Sequence, residues 1–174
     1  MCVGFFDKLF GKSENSSSTA NSMNDRADVW PAKFLTIAIS ETVNEAPGID
    51  VVKEIIDDVY PTLSQSDVES ITKSVFEMTS LVQSSDSDWD SIWDAFSTQL
   101  SAFNNSESFE IVKRVANTAF LLKMQENMQD IAENYTYRIG SHLEKYSSVS
   151  KSDFIAIMEE EKENTGYNEY LNDL

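Results

Sequence analysis

The chain has 174 residues, 41% of them apolar, and its 30 acidic against 13 basic residues give a net charge of −17. This length suits one domain with a hydrophobic core of its own. A surface so negative repels nucleic-acid phosphates, so we expect no nucleic acid as a partner. Cys2 is the sole cysteine, which excludes a disulfide within the chain. No apolar run reaches the roughly 18 residues of a transmembrane helix.

Residues 1–12 form a short amphipathic segment, in which apolar residues share one face at helical spacing and Asp7 lies outside that face. Such a face predicts binding to a membrane interface or to a groove on a partner protein. The alternative is that the segment folds back onto its own domain or is disordered. The candidate binding residues are Val3, Phe5, Phe6, Leu9 and Phe10.

Residues 13–28 are rich in serine and asparagine and predict a flexible linker with a reach of about 20–25 Å. Residues 29–163 predict an all-α domain, because no proline follows Pro61 and only two glycines do. Apolar residues recur there every three or four positions, which predicts a compact bundle of about six to seven helices.

The first three helices have recognisable ends in the sequence. Asp28 is a candidate N-cap for the first helix, since its carboxylate can accept a hydrogen bond from a free backbone N–H. The second helix, about residues 50–60, is stopped by Pro61. Ser66 and Glu69 have the spacing of a capping box and predict the start of the third helix.

The fourth helix is predicted to begin at Ser87 with Asp90, and its apolar stripe indicates that both of its tryptophans pack in the core. Three aspartates ending at Asp90 have the 1-3-5 spacing of a calcium loop. Ser91 and Ser97 occupy the places of the required Gly and Glu, so an EF-hand is excluded and helix capping explains the aspartates. The stripe consists of Trp89, Ile92, Trp93, Phe96, Leu100 and Phe103.

A nearly unbroken apolar seam runs over residues 107–146. One helix of that length would span about 60 Å, which is too long for a domain of this size, so we expect a break within 122–136. Ser150 and Asp153 predict the cap of a last helix. Residues 164–174 are expected to form an acidic, frayed tail.

The chain contains a candidate internal duplication. A shift of 86 residues places Tyr60–Ile71 over Tyr146–Ile157, and five of the twelve positions are identical. This similarity predicts two related helical halves. The alternative is that Ser-x-Ser-Asp begins many unrelated helices, because serine is a favoured N-cap.

No motif predicts catalysis, so we expect neither an enzyme nor a cofactor. His142 is the only histidine, and Cys2 lies far from it in the sequence. We expect His142 to face solvent or to be half-buried on a helix rather than to serve in a nucleophile–histidine pair. The chain has five glycines in all and no glycine-rich phosphate loop.

Two acidic clusters are candidate cation sites or solvated surface. Glu54, Asp57 and Asp58 lie at i, i+3 and i+4, so one helical face could present all three carboxylates to a hard cation. Surface charge is the alternative in so acidic a chain. The second cluster is interpreted as a solvated helix end and consists of Glu159, Glu160, Glu161 and Glu163.

The segment MCVGFFDKLFGK, residues 1–12, resembles the Gly-Phe-Phe-Asp-Lys-Leu-Phe-Gly leader of many small bacterial proteins, some of which carry tellurite-resistance TerB-like domains. Ser150–Ile157 and its echo Ser64–Ile71 resemble the start of the last helix of such domains. The resemblance implies an acidic, all-helical domain linked to membrane-associated stress and defence complexes. The family's Ala-Asp-Gly signature is absent, and the comparable turns are Asn44–Gly48 and Lys123–Glu126, so no family metal ligand is carried over.

These observations predict a non-enzymatic, acidic binding or adaptor module linked to the stress response. We expect a protein partner with a basic surface, and peripheral membrane contact through residues 1–12. The expected location is the cytoplasm, with contact at the inner membrane. The alternative function is an acidic inhibitor or immunity protein that blocks a basic enzyme such as a nuclease.

Overall fold

The computed structural model describes residues 26–45 and 48–174, and within these ranges it contains only helices. The all-α fold class expected from the sequence is confirmed. Short 3-10 helices at Thr98–Ala102 and Glu126–Met128 accompany the α-helices. The α-helices are α1 (Trp30–Val43), α2 (Ile49–Val59), α3 (Gln65–Gln83), α4 (Trp89–Ser97), α5 (Asn105–Lys123), α6 (Gln129–Tyr146), α7 (Lys151–Asn164) and α8 (Tyr167–Asn172).

The amphipathic segment 1–12 and the linker up to residue 25 lie outside the described residues. The same holds for the candidate membrane- or partner-binding residues Val3, Phe5, Phe6, Leu9 and Phe10.

Helix α1 lies at the centre of the bundle. Every residue from Trp30 to Ser40 is buried, and α3, α5 and α6 pack around it. An aromatic cluster joins α1 to its neighbours: Phe34 lies 4.5 Å from Trp93 and 5.0 Å from Tyr135 between ring centroids. The core thus forms around one enclosed helix, in which most of the buried residues are apolar and a few are polar.

Side chains cap the N-termini of α4, α5 and α7. Asn104 caps α5 with Glu107 in a capping box, and Ser150 caps α7 by accepting a hydrogen bond from the backbone N–H of Asp153. The predicted cap at Ser150 is confirmed. Asp88, not Ser87, caps α4, because its carboxylate accepts the N–H of Ser91 at 2.7 Å.

Two other predicted helix starts are wrong. The capping box of α3 is formed by Ser64 and Asp67, two residues before the predicted pair of Ser66 and Glu69, because Ser64 is the last residue with an extended backbone before the helix. Asp28 does not cap α1, whose N-cap is Val29. The Asp28 carboxylate instead pairs with Arg26 at 2.6 Å.

The expected break in the long seam is confirmed. Helix α5 ends at Lys123, a 3-10 turn follows at Glu126–Met128, and α6 begins at Gln129. The break allows α5 and α6 to pack against each other as a helical hairpin.

The two segments of the candidate duplication occupy equivalent places. Ser64 is the N-cap of α3 and Ser150 is the N-cap of α7. Each serine hydroxyl lies 2.9 Å from the hydroxyl of the serine two residues later. Helix α3 packs on α1, and α7 packs on α5. Because two independent serine caps would look the same locally, the duplication itself stays a prediction.

The C-terminal segment, expected as a frayed acidic tail, carries the helix α8 and brings the described α-helices to eight. Gly166 allows the turn before α8, because its φ of 73° lies in the left-handed region that glycine tolerates. The ring centroid of Tyr167 then lies 4.9 Å from that of Phe120 on α5.

Tyr167→Ala should lower the free energy of unfolding by about 1–2 kcal/mol, since it removes an aromatic pair and partly buried apolar area. Urea unfolding measures this change. Leu174→Ala is the matched control, because that side chain is 86% exposed, and it should change stability by less than about 0.5 kcal/mol. Equal effects of the two substitutions would show that α8 does not dock.

Candidate functional site

Helix α2 presents a strongly acidic outer face. Val52 and Ile56 point into the core, while four carboxylates at i, i+4, i+7 and i+8 are exposed on the opposite side. We call this set the acidic face of α2, and it consists of Asp50, Glu54, Asp57 and Asp58. None of the ion pairs between described residues includes one of these four carboxylates.

The structure places the candidate cation ligands Glu54, Asp57 and Asp58 on one helical face, as their spacing predicts. Across residues 26–45 and 48–174, however, no three His, Cys, Asp or Glu side chains are grouped so that they could hold a metal ion.

A second polar cluster joins the end of α1 to α4 and α6. The Glu41 carboxylate accepts hydrogen bonds from the Trp93 indole at 2.5 Å, from Asn134 at 3.1 Å and from Arg138 Nε at 3.2 Å. Arg138 Nη2 donates to the other oxygen of Glu41, and Nη1 donates to Asp90 at 2.6 Å. The carboxylate of Glu41 is thus surrounded by donors from two other helices.

Burial makes the Glu41–Arg138 pair structurally important. Their side chains are 15% and 13% exposed, whereas that of Asp90 is 82% exposed. A buried charge that loses its partner destabilises a fold far more than an exposed one does. The cluster therefore fixes the positions of three helices relative to one another.

His142 is buried, whereas the sequence analysis expects it to face solvent or to be half-buried. Its ring stacks between Trp93 and Tyr146, with centroids 6.3 Å from each, and neither ring nitrogen has a hydrogen-bond partner among the described residues. Burial lowers the pKa of His142, and the charge of Arg138 lowers it further. The ring thus acts as a neutral aromatic group in the core.

The tryptophans of α4 pack as the apolar stripe predicts. Trp93 is fully buried, and Trp89 is half-buried against the core, where its indole donates to Asn44 at 3.4 Å. Their spacing therefore indicates core packing.

Helix α5 borders two adjoining cavities of about 310 and 400 Å³, and we call them together the α5 groove. Both cavities are lined by Glu110 and Arg114. Glu161 lines the first and is buried, with a side chain only 2% exposed, so its interpretation as part of a solvated helix end is wrong. Ile157, one turn earlier, is buried too, and this spacing is the signal that sequence reasoning missed.

Comparison with protein-family models, curated proteins and solved structures gives no match for this chain. The TerB-like resemblance therefore stays a prediction that rests on the sequence. In the described ranges, no helix combines the length and apolar character needed to cross a bilayer.

Glu41→Gln should lower the free energy of unfolding by about 3 kcal/mol, because it leaves the nearly buried Arg138 without its main counter-charge. Asp90→Asn is the matched control, since it removes an exposed carboxylate from the same arginine and should change stability by less than about 1 kcal/mol. Urea unfolding of both variants tests this ranking, and the reverse order would contradict the structural role of the pair.

His142 should make the protein less stable below about pH 6.5, because the unfolded chain takes up a proton at a higher pH than the buried ring does. His142→Phe keeps an aromatic ring and removes this effect. In urea unfolding between about pH 7.5 and 5, the unsubstituted protein should lose stability relative to the variant, by at most about 1.4 kcal/mol per pH unit. Parallel pH profiles would show that the ring is not desolvated.

Proposed function

We propose that this protein is a non-enzymatic, acidic binding or adaptor module that recognises a basic surface on a partner protein. The observation that carries the proposal is the acidic face of α2, whose exposed carboxylates form no ion pair with described residues. The net charge of −17 adds a long-range attraction for any such partner.

The geometry of α2 suits a docking element. Asp58 lies eight positions after Asp50, so four carboxylates lie within about 12 Å along the helix axis. The buried Val52 and Ile56 anchor the helix to the core and hold this charge in place. Complementary charge at an interface raises the association rate and selects against acidic partners.

The tether belongs to the same proposal. Residues 1–12 carry an apolar face and two lysines against one aspartate, whereas the remainder of the chain is strongly acidic. The segment would bind a membrane or a second protein while the domain holds its basic partner. Under this proposal the protein lies in the cytoplasm and at the inner membrane, and the TerB-like resemblance links it to the stress response.

The test compares two variants that remove the same charge from different places. The first replaces Asp50, Glu54, Asp57 and Asp58 by the corresponding amides, and the control does the same to Glu126, Asp130, Glu133 and Glu144, which are also exposed. Affinity purification from the native host identifies the partner, and its affinity is then measured at low and high salt. The α2 variant should bind at least about tenfold more weakly and lose most of its salt dependence.

Equal weakening by the two variants would show that the overall charge, not α2, attracts the partner. A chain of residues 26–174 gives a second arm: it should keep the basic partner and lose its membrane or second-protein association. If the truncated and full-length chains fractionate alike, the tether is excluded. If the captured partner is a single basic enzyme whose activity falls on binding, the protein is an inhibitor instead.

A further inference from the structure

We propose that the α5 groove is a binding site for a small amino-acid-like molecule that carries one carboxylate and at least one cationic group. The carboxylate would bind Arg114 and the cationic group would bind Glu161, with Glu110 at the rim. This site goes beyond the proposed function, because it is separate from the acidic face of α2 and needs no protein partner.

Arg114 is held in the wall of both cavities without a carboxylate partner. Its Nη1 donates to the backbone carbonyl of Asp28 at 3.2 Å, and its guanidinium carbon lies 5.6 Å from the centre of the Tyr60 ring. A guanidinium has five N–H donors in a fixed fork that matches a carboxylate. The protein thus orients Arg114 and leaves most of these donors available.

The unpaired state of Arg114 is unusual in so acidic a chain. Arg26 pairs with Asp28 and Asp67, and Arg138 pairs with Glu41 and Asp90. Arg114, in contrast, forms no ion pair with any carboxylate in the described part of the chain, although Glu110 and Glu161 line the same cavity. Lys113, which lines the first cavity too, is paired with Glu160 and Glu161, so Arg114 is the described cation of the groove that a ligand carboxylate could bind.

Glu161 supplies the opposite charge from a fixed position. Its oxygens accept hydrogen bonds from Asn117 at 2.7 Å and Asn164 at 2.9 Å, and Lys113 lies 3.6 Å away. Two amides and an ion pair with Lys113 thus hold this buried carboxylate in place. A carboxylate has about four acceptor positions, so capacity remains for a ligand's cationic group.

The lining selects against other ligand classes. Asp28, Glu107 and Glu110 line the second cavity, and they would repel a phosphate or another multiply charged anion. A dication without a carboxylate would leave Arg114 unpaired. Each cavity lies near the lower end of the range of about 300–1,000 Å³ that ligand pockets occupy, which suits a molecule the size of an amino acid.

The experiment titrates the isotope-labelled full-length protein with L-arginine and with agmatine, which is the same molecule without the carboxylate, while amide chemical shifts are recorded. L-Arginine should shift amides of α5 around residues 107–118 and bind at least tenfold more tightly there than agmatine does. Arg114→Gln should reduce its affinity to that of agmatine. Lys123→Gln, on the same helix but outside both cavities, is the charge-matched control and should leave binding unchanged.

Arg114→Lys is the second variant, because it keeps the charge and loses the planar fork; it should weaken L-arginine binding about tenfold. Thermal unfolding establishes that each variant is folded. Equal binding of L-arginine and agmatine at the groove, binding that survives Arg114→Gln, tighter binding of inorganic phosphate, or no binding of L-arginine would each overturn the proposal.

Discussion

The enclosure of α1 by other helices is the constraint on which the rest of the structure depends. All residues from Trp30 to Ser40 are buried, and α3, α5 and α6 pack around them. An isolated helix of this length is marginal in water, so α1 gains its stability from the helices that surround it. Because those helices also lose their main contact surface without α1, we expect the described domain to unfold as one cooperative unit.

The last turn of α1 reaches the surface, and there charged hydrogen bonds rather than apolar contacts join it to its neighbours. Glu41 lies in the last turn of α1 and accepts hydrogen bonds from donors on α4 and α6. Such a pair stabilises little more than an apolar contact of the same shape would, but it accepts only one arrangement of its partners. The aromatic contacts of Phe34 stabilise the packing of the helices, and the hydrogen bonds of Glu41 define their relative positions.

Helix ends and apolar spacing are local properties, so the sequence predicts most of the fold. The break after Lys123 and the Ser150 cap follow from chain length and from short-range hydrogen bonds. Errors of one or two residues arise where several serines and aspartates compete for one cap, as at Ser64. The sequence does not predict that Glu161 and Arg114 line one groove, because this depends on how α7 packs against α5. The spacing of Ile157 and Glu161 indicates which face of α7 is buried, but it does not show which helix covers that face.

The exposed acidic residues of α2 and the enclosed residues of α1 should tolerate different substitutions during evolution. If the acidic face of α2 binds as proposed, it should tolerate exchanges between Asp and Glu, since both residues carry the same charge. Residues 30–40 are buried on all sides, so adding or removing a methylene group there lowers the stability of the fold. Distant relatives should therefore retain the side-chain volumes along α1 even where the sequence of the acidic helix is no longer detectably similar.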